Sequence, residues 1–337
     1  MKVIIIGSGR MGIRHAQGIA AIAAIKKIQL VDISQSALDN AKSIFQGTPD
    51  YIKFAFSLLN DLNTEGVSFD VGIMASTANN RGEIYNLLVD LGCQHILAEK
   101  PLGQSYSEVL DFNDTVAKSG IPCYVNLNMR LQDTYIQLHN DLNEFPQLQG
   151  DKTITLNTGS LGIGANGIHY LDMLYFLLDA DDAKIVAADI ESKIIPSGRG
   201  ANFCDFGGWV VILFYKQQQL VGKALLSMSA SSTAFGSWDI LGSHGRIYLN
   251  EVEQIRIDTL RNADSTMPIN RYFADYLPSK ETKLAAPFLG DLTAKWLISL
   301  LEGKSLLPRI EDSIKVHALM FDWLSHSKTH KTFFPIT

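Results

Sequence analysis

Over its first 122 residues the chain alternates short, wholly apolar runs with longer amphipathic ones. The runs Val3–Ile6, Ile28–Val31, Val71–Ala75 and His95–Ala98 are four or five residues long. Between and after them lie stretches of helical spacing: Met11–Ala24, Ser36–Phe45, Arg81–Leu91 and Ser105–Ser119. A strand with no polar alternation has both faces covered, which is the condition of a parallel sheet flanked by helices. Repeated strand–helix units of this kind predict an α/β domain with a doubly wound parallel sheet.

The pattern changes after Pro122. Cys123–Asn126 can add a last strand to the first sheet, Gln132–Asn143 has helical spacing, and the glycine-rich stretch Gly159–Gly167 leads into a helix Ile168–Leu178. From about Lys184 to Asp258 the chain reads as successive strands. Hairpins are expected at Lys216-Gln217-Gln218-Gln219, between Trp209–Tyr215 and Leu220–Ser227, and at Gly242-Ser243-His244-Gly245. Asn262–Pro287 reads as irregular, and two helices follow near Asp291–Leu301 and Glu311–His326. The expected division is therefore a nucleotide-binding α/β domain over 1–122 and an α+β domain over 123–337 with a large, mainly antiparallel open sheet, serving substrate binding and oligomerisation.

A chain of 337 residues has room for two such cores. Its net charge of −6, with no cluster of Lys and Arg to override it, argues against a nucleic-acid partner. The N-terminal run before Gly7 is too short for a secretory segment, and Ile19–Ile25 is too short to span a bilayer. Cys93, Cys123 and Cys204 form neither a disulfide framework nor a metal-ligand spacing, which fits a reducing cytoplasm and no metal.

The first strand runs directly into Gly7-Ser8-Gly9-Arg10-Met11-Gly12, a G-x-G-x-x-G pattern that opens a helix. In that context the first glycine makes a tight turn, the second admits backbone close to a pyrophosphate, and the third lets helix pack on strand. The helix N-terminus then faces the phosphates. The second strand ends in Asp32, twenty residues after Gly12. A carboxylate there can accept from the adenosine ribose hydroxyls and repels a 2′-phosphate, so the expected cofactor is NAD. Thr77 and Asn79, after the strand Val71–Ala75, are candidates for the nicotinamide-ribose side of the pocket.

At the end of His95–Ala98 stands Glu99-Lys100-Pro101. Proline keeps Lys100 out of the helical region and holds it extended at the carboxyl end of a strand, where open α/β sheets bind ligands. A lysine so placed can donate to a substrate oxygen, and beside a positive nicotinamide it gives up its proton more readily. Pairing with Glu99 is the alternative on position alone; Glu99 itself is counted among the cofactor-side residues. His169 lies near the start of the helix Ile168–Leu178, with Asn166 as its expected N-cap. A helix N-terminus favours the neutral imidazole, which can take or give a proton near pH 7. Asp172 falls three residues on, on nearly the same face.

Together these segments resemble the glucose–fructose oxidoreductase / inositol dehydrogenase (Gfo/Idh/MocA) family. The resemblance rests on GSGRMGIRHA at 7–16, Asp32, AEKPL at 98–102, NLNMR at 126–130, GIHYLDML at 167–174, ILGSHGRIYLN at 240–250 and LEGKSLLPRIEDSIKVHALM at 301–320. It implies a Rossmann domain followed by an α/β domain with an open sheet, and hydride transfer with a sugar, polyol or sugar derivative, nucleotide-sugars included. It also implies that Lys100 bonds the reacting oxygen, that His169 joins it in catalysis, that Arg130 and Asp172 line the substrate side, and that the chain forms a homodimer or homotetramer. The family pattern has an aspartate four residues before the histidine; here that position is Ala165.

The leading expectation is an NAD(H)-dependent oxidoreductase acting on a CH–OH group of a sugar-like small molecule. Ala165 motivates a second reading, a catalytically weak dinucleotide-binding sensor or scaffold. Reduction of a non-sugar carbonyl or imine is a third.

Overall fold

The computed structural model describes residues 1–62, 65–159, 161–196, 203–233, 236–268, 270–271 and 275–327. In chain order the elements are β1 (Lys2–Ile6), α1 (Arg10–Ala20), β2 (Lys27–Asp32), α2 (Gln35–Phe45), β3 (Phe54–Leu58), β4 (Val71–Met74), α3 (Arg81–Asp90), β5 (His95–Ala98), α4 (Tyr106–Ser119) and β6 (Cys123–Val125). There follow α5 (Asp133–Glu144), β7 (Lys152–Thr158), α6 (Ile168–Leu177), β8 (Asp182–Pro196), β9 (Cys204–Lys216), β10 (Gln219–Met228), β11 (Ser237–Leu241), β12 (Gly245–Asn250), β13 (Ile255–Leu260), β14 (Lys280–Lys283), α7 (Leu289–Leu301) and α8 (Ile310–Ser325). Among the described residues no helix is long and apolar enough to cross a membrane.

The chain divides into two compact units. The first comprises Met1–Leu131 with Pro287–His317; the second comprises Gln132–Ala286 with the residues from Ala318 on. This differs from the expected division after residue 122, for two physical reasons. Strand β6 pairs in parallel with β5, so the chain is still completing the first sheet at Val125. Helix α7 then returns to the first unit, where Leu292, Trp296 and Leu297 join Val3, Ile5, Ile19, Ile28 and Leu30 in one core cluster. Helices α1 and α7 meet at two glycines: a Cβ on Gly18 would lie 1.9 Å from the Gly290 carbonyl oxygen.

The first sheet has the order β3-β2-β1-β4-β5-β6, all parallel. This is the doubly wound arrangement expected from the alternation, with the order reversing between β1 and β4. Helix entries are locally encoded. Ser34 caps α2 through Ala37 N (3.3 Å); Ser105 Oγ caps α4 by accepting from Glu108 N (3.2 Å), and Glu108 Oε2 accepts from Gln104 N (2.9 Å), one residue before the cap.

The second unit is built on a sheet of order β14-β13-β12-β11-β7-β10-β9-β8. Neighbours are antiparallel except β7 and β10, which run parallel. One face buries Ile154, Leu156, Ile212, Phe214, Leu226, Trp238 and Ile240. The opposite face carries Trp209, Leu225 and Leu241, each about two-fifths exposed, with Thr153, Thr155 and Ser227 among their cross-strand partners. Three strands escaped the sequence reading. In the first sheet it is β3, FAFSL; in the second, β7 enters the middle of the sheet from a polar segment, KTITLNT, and β14, KETK, lies within the stretch read as irregular.

Candidate active site

The glycine loop lies at the reversal point of the first sheet. Gly7 has φ +104°, and its amide donates to Val31 O at 2.7 Å. A Cβ there would sit 2.7 Å from the Ala75 carbonyl carbon, so the turn needs glycine. A Cβ on Gly12 would lie 1.8 Å from Gly7 O, so helix and loop touch through backbone alone. Gly9 is different: a Cβ there meets nothing within 4 Å. Gly9 also caps α1 without a side-chain bond, and the first helical turn carries no acid. A backbone cradle open at its central glycine, before a helix start with no anionic side chain of its own, fits a dinucleotide pyrophosphate.

Asp32 ends β2 and reaches back to this loop. Its Oδ2 accepts from Ser8 N (2.6 Å) and Ser8 Oγ (3.0 Å), and its Oδ1 accepts from Ser34 N (2.9 Å). Arg10 is exposed and Met11 half-buried at the start of α1. Beyond β4, Thr77 is half-buried and Asn79 exposed. Arg81, which the sequence reading passed over, is buried under this segment and donates to Met74 O (3.1 Å) and Ser76 O (3.3 Å).

Lys100 is only 9% exposed, just past the end of β5. The preceding Glu99 is buried, and its Oε1 accepts from His15 Nε2 (2.9 Å) and Asn126 Nδ2 (2.6 Å). Burial alone would raise the Glu99 carboxyl, but the hydrogen bond and charge of His15, the charge of Lys100 and the Asn126 bond outweigh it and bring it down to about 2. On the far side, Leu102 N donates to His317 Nε2 at 3.1 Å. His317 Nδ1 lies 2.9 Å from Ser313 O, so Nδ1 carries the proton and Nε2 accepts. Burial lowers the His317 imidazole to about 4, which keeps it neutral in this role. The Glu-Lys-Pro segment is thus fastened before and after the lysine. Arg130 is half-buried in the 3₁₀ turn Asn128–Leu131 of the same unit.

His169 and Asp172 belong to the second unit, on α6. His169 is half-buried and Asp172 is 1% exposed. The expected Asn166 cap is not found: Asn166 Nδ2 donates to Leu161 O at 2.8 Å, and Gly167 occupies the N-cap without a side-chain bond. A π-helical turn, Ile163–Gly167, runs straight into α6, so the helical backbone begins earlier than the glycines suggest. Its first amides are held by Asp205 of β9, whose carboxylate accepts from Gly164 N (3.0 Å) and Ala165 N (2.7 Å). Gly162, at φ +78°, leaves room for this acid; a Cβ would lie 2.2 Å from its Oδ2. Asp205, on a strand, thus brings its carboxylate to the backbone amides of Gly164 and Ala165. Next to His169, Tyr170 donates to Glu251 Oε2 (3.0 Å), while Tyr135 and Trp238 donate to Oε1 (2.5 and 2.8 Å), pinning α6 to the sheet.

Among the described residues, the glycine loop, Asp32, Thr77, Asn79, Glu99, Lys100 and Arg130 gather in the first unit, and His169 with Asp172 in the second. The sequence reading missed His15, Asn126, Thr293, His317, Asp205 and Glu251. Only His15 carried a local signal, lying three residues beyond Gly12 and so on the face of α1 that packs on the loop.

None of the curated proteins matches the sequence. Solved structures do match in fold over nearly the full length. An NAD-binding oxidoreductase from Klebsiella pneumoniae is 15% identical with a TM-score of 0.71, covering 97% of this chain and 96% of that one. A scyllo-inositol dehydrogenase from Lactobacillus casei, with bound NAD(H) and scyllo-inositol, is 16% identical with a TM-score of 0.66 and covers 97% of each chain. A 3-ketoreductase from Actinomadura kijaniata, in complex with TDP-benzene and NADP, is 15% identical with a TM-score of 0.70, covering 97% and 98%. At these identities the likeness shows the fold. Residues 1–127 match the model of the Gfo/Idh/MocA group, described as an oxidoreductase family with an NAD-binding Rossmann fold. That segment, which holds the glycine loop, Asp32 and Lys100, is similar to the NAD-binding Rossmann domain of the Gfo/Idh/MocA oxidoreductases.

Proposed function

We propose that the protein is a cytoplasmic NAD(H)-dependent oxidoreductase acting on a hydroxyl or carbonyl of a sugar, polyol or nucleotide-sugar. The observation that carries this reading is Lys100, fastened on both sides at the carboxyl end of β5 in the unit that also presents the open Gly9 cradle. The bound nicotinamide would supply or accept the hydride. The glycine loop would hold the pyrophosphate, Asp32 the adenosine ribose, and Thr77, Asn79 and Glu99 the nicotinamide side. Lys100 would donate to the reacting oxygen, and His169 would take or return its proton, with Arg130 and Asp172 on the substrate side. Ala165 keeps the dinucleotide sensor as a second reading. Incubation with NAD and a panel of sugars, polyols and nucleotide-sugars, followed by nicotinamide absorbance, separates the two; binding without turnover on any of them supports the sensor.

The cofactor preference follows from Asp32. A 2′-phosphate brings about two negative charges toward a carboxylate, and no basic residue follows in Asp32-Ile33-Ser34-Gln35. Titration is expected to give a lower dissociation constant for NADH than for NADPH; equal or tighter NADPH binding refutes the assignment. Assembly follows from the outer sheet face. Trp209, Leu225 and Leu241 there, each about two-fifths exposed, would be covered by a second copy. Light scattering is expected to show a dimer or tetramer at micromolar concentration, and a monomer alone contradicts it.

A further inference from the structure

A row of buried polar side chains ends at Glu99, next to Lys100 in the chain. Thr293, His15, Glu99 and Asn126 are each at most 4% exposed. Thr293 Oγ1 meets His15 Nδ1 at 2.7 Å, His15 Nε2 meets Glu99 Oε1 at 2.9 Å, and Asn126 Nδ2 donates to the same oxygen. The carboxylate can only accept, so His15 Nε2 carries a proton. The charged and titratable groups around the row are His15 from α1, Lys100 beside Glu99, and His317 of α8 on Leu102, with Arg81 of α3 acting on His317.

Apolar residues of equal volume would fill such a place at least as stably, since a buried charge brings a desolvation penalty. The fold nevertheless arranges itself around this row. Gly18 lies three residues after His15 on α1, and Gly290 three residues before Thr293 on α7. Residues so spaced share a helix face. The backbone contact between the two glycines therefore brings the His15 face against the Thr293 face.

We propose that Thr293, His15 and Glu99 form a positioning relay that holds a charged carboxylate beside Lys100 and so keeps its ammonium protonated and oriented. The role rests on the hydride-transfer reading above: Thr293 fixes the ring of His15, His15 and Asn126 fix the Glu99 carboxylate, and that charge sets Lys100.

The test is competitive acetylation of the full chain with acetic anhydride across alkaline pH, with labelling of Lys100 read by mass spectrometry. Glu99→Gln removes the counter-charge and is expected to lower the Lys100 midpoint by at least about one pH unit. Should that variant fail to fold, His15→Leu takes its place, with a smaller shift in the same direction. Given a confirmed substrate, His15→Leu is expected to lower kcat at least about tenfold while leaving the NADH dissociation constant within about threefold, and His15→Gln, whose amide can replace the Nε2 donor, is expected to recover most of it. Thr293→Val and Thr293→Ser should show the same contrast more weakly. An unchanged Lys100 midpoint overturns the relay, and so does a His15→Gln variant as slow as His15→Leu. The labelling needs neither substrate nor turnover. A chain that oxidises nothing therefore defeats the proposed activity, while the midpoint still decides the relay.

Discussion

Gly9→Ala is expected to leave the folding of the protein unchanged and to weaken NADH binding at least about tenfold. Gly9 has φ −70°, a value alanine adopts freely, and its added methyl meets no protein atom within 4 Å. The methyl would instead occupy the space that a pyrophosphate needs in order to reach the loop amides. Gly12→Ala is expected to fail differently. Its methyl falls on Gly7 O, and neither the loop nor α1 can retreat without disturbing the contacts of β1. Overpacking of this kind costs about 1–3 kcal/mol or more, so the thermal midpoint should fall along with binding. Thermal denaturation and NADH titration of the two variants check this. A Gly9→Ala protein that binds NADH like its parent would show that no dinucleotide lies against that loop.

Lys100→Ala and His169→Ala are each expected to lower kcat at least about tenfold on a confirmed substrate, since positioned acid–base groups contribute on the order of 10²–10⁴ in rate. NADH affinity should change little, because neither residue is assigned to the pyrophosphate or adenosine. Lys100→Ala leaves Glu99 with His15 and Asn126, so the local hydrogen bonds described around it survive. Measuring kcat and the NADH dissociation constant together keeps chemistry apart from cofactor binding. Near-parental turnover in His169→Ala would remove that residue from the mechanism, and the same result in both variants would leave the lysine before proline as architecture alone.

What could be read from the sequence was what neighbouring residues decide among themselves. The alternation over the first 122 residues reveals the parallel sheet because each strand and each helix carries its own periodicity. Gly7 and Gly12 are legible because the turn and the close helix contact demand glycine there, and Asp32 through its spacing from the loop at the end of a strand. Strands β7 and β14 are not, since a polar strand takes its identity from the partners it meets: β7 lies between β11 and β10, both far along the chain. The division after residue 122 failed for the same reason, because nothing local marks α7 as a helix of the first core. At the site, Lys100 stood out through Pro101. The residues that fasten it did not: Thr293 lies 278 positions from His15, and His317 lies 215 from Leu102. Asp205 gives no sign in the sequence that it caps a turn 40 positions earlier.

The return of α7 to the first core also sets an order of events during synthesis. Ribosomes extend chains at about 5–20 residues per second, so Trp296 follows Leu131 into existence only after roughly ten seconds or more. Until then β1, β2 and α1 lack Leu292, Trp296 and Leu297, which share their core cluster in the finished protein. The nascent Met1–Leu131 segment must wait, partly uncovered, until Leu289–Leu301 has been made. It is therefore a natural client for a chaperone that shields apolar surface, and a poor candidate for transplantation as a free-standing nucleotide-binding module.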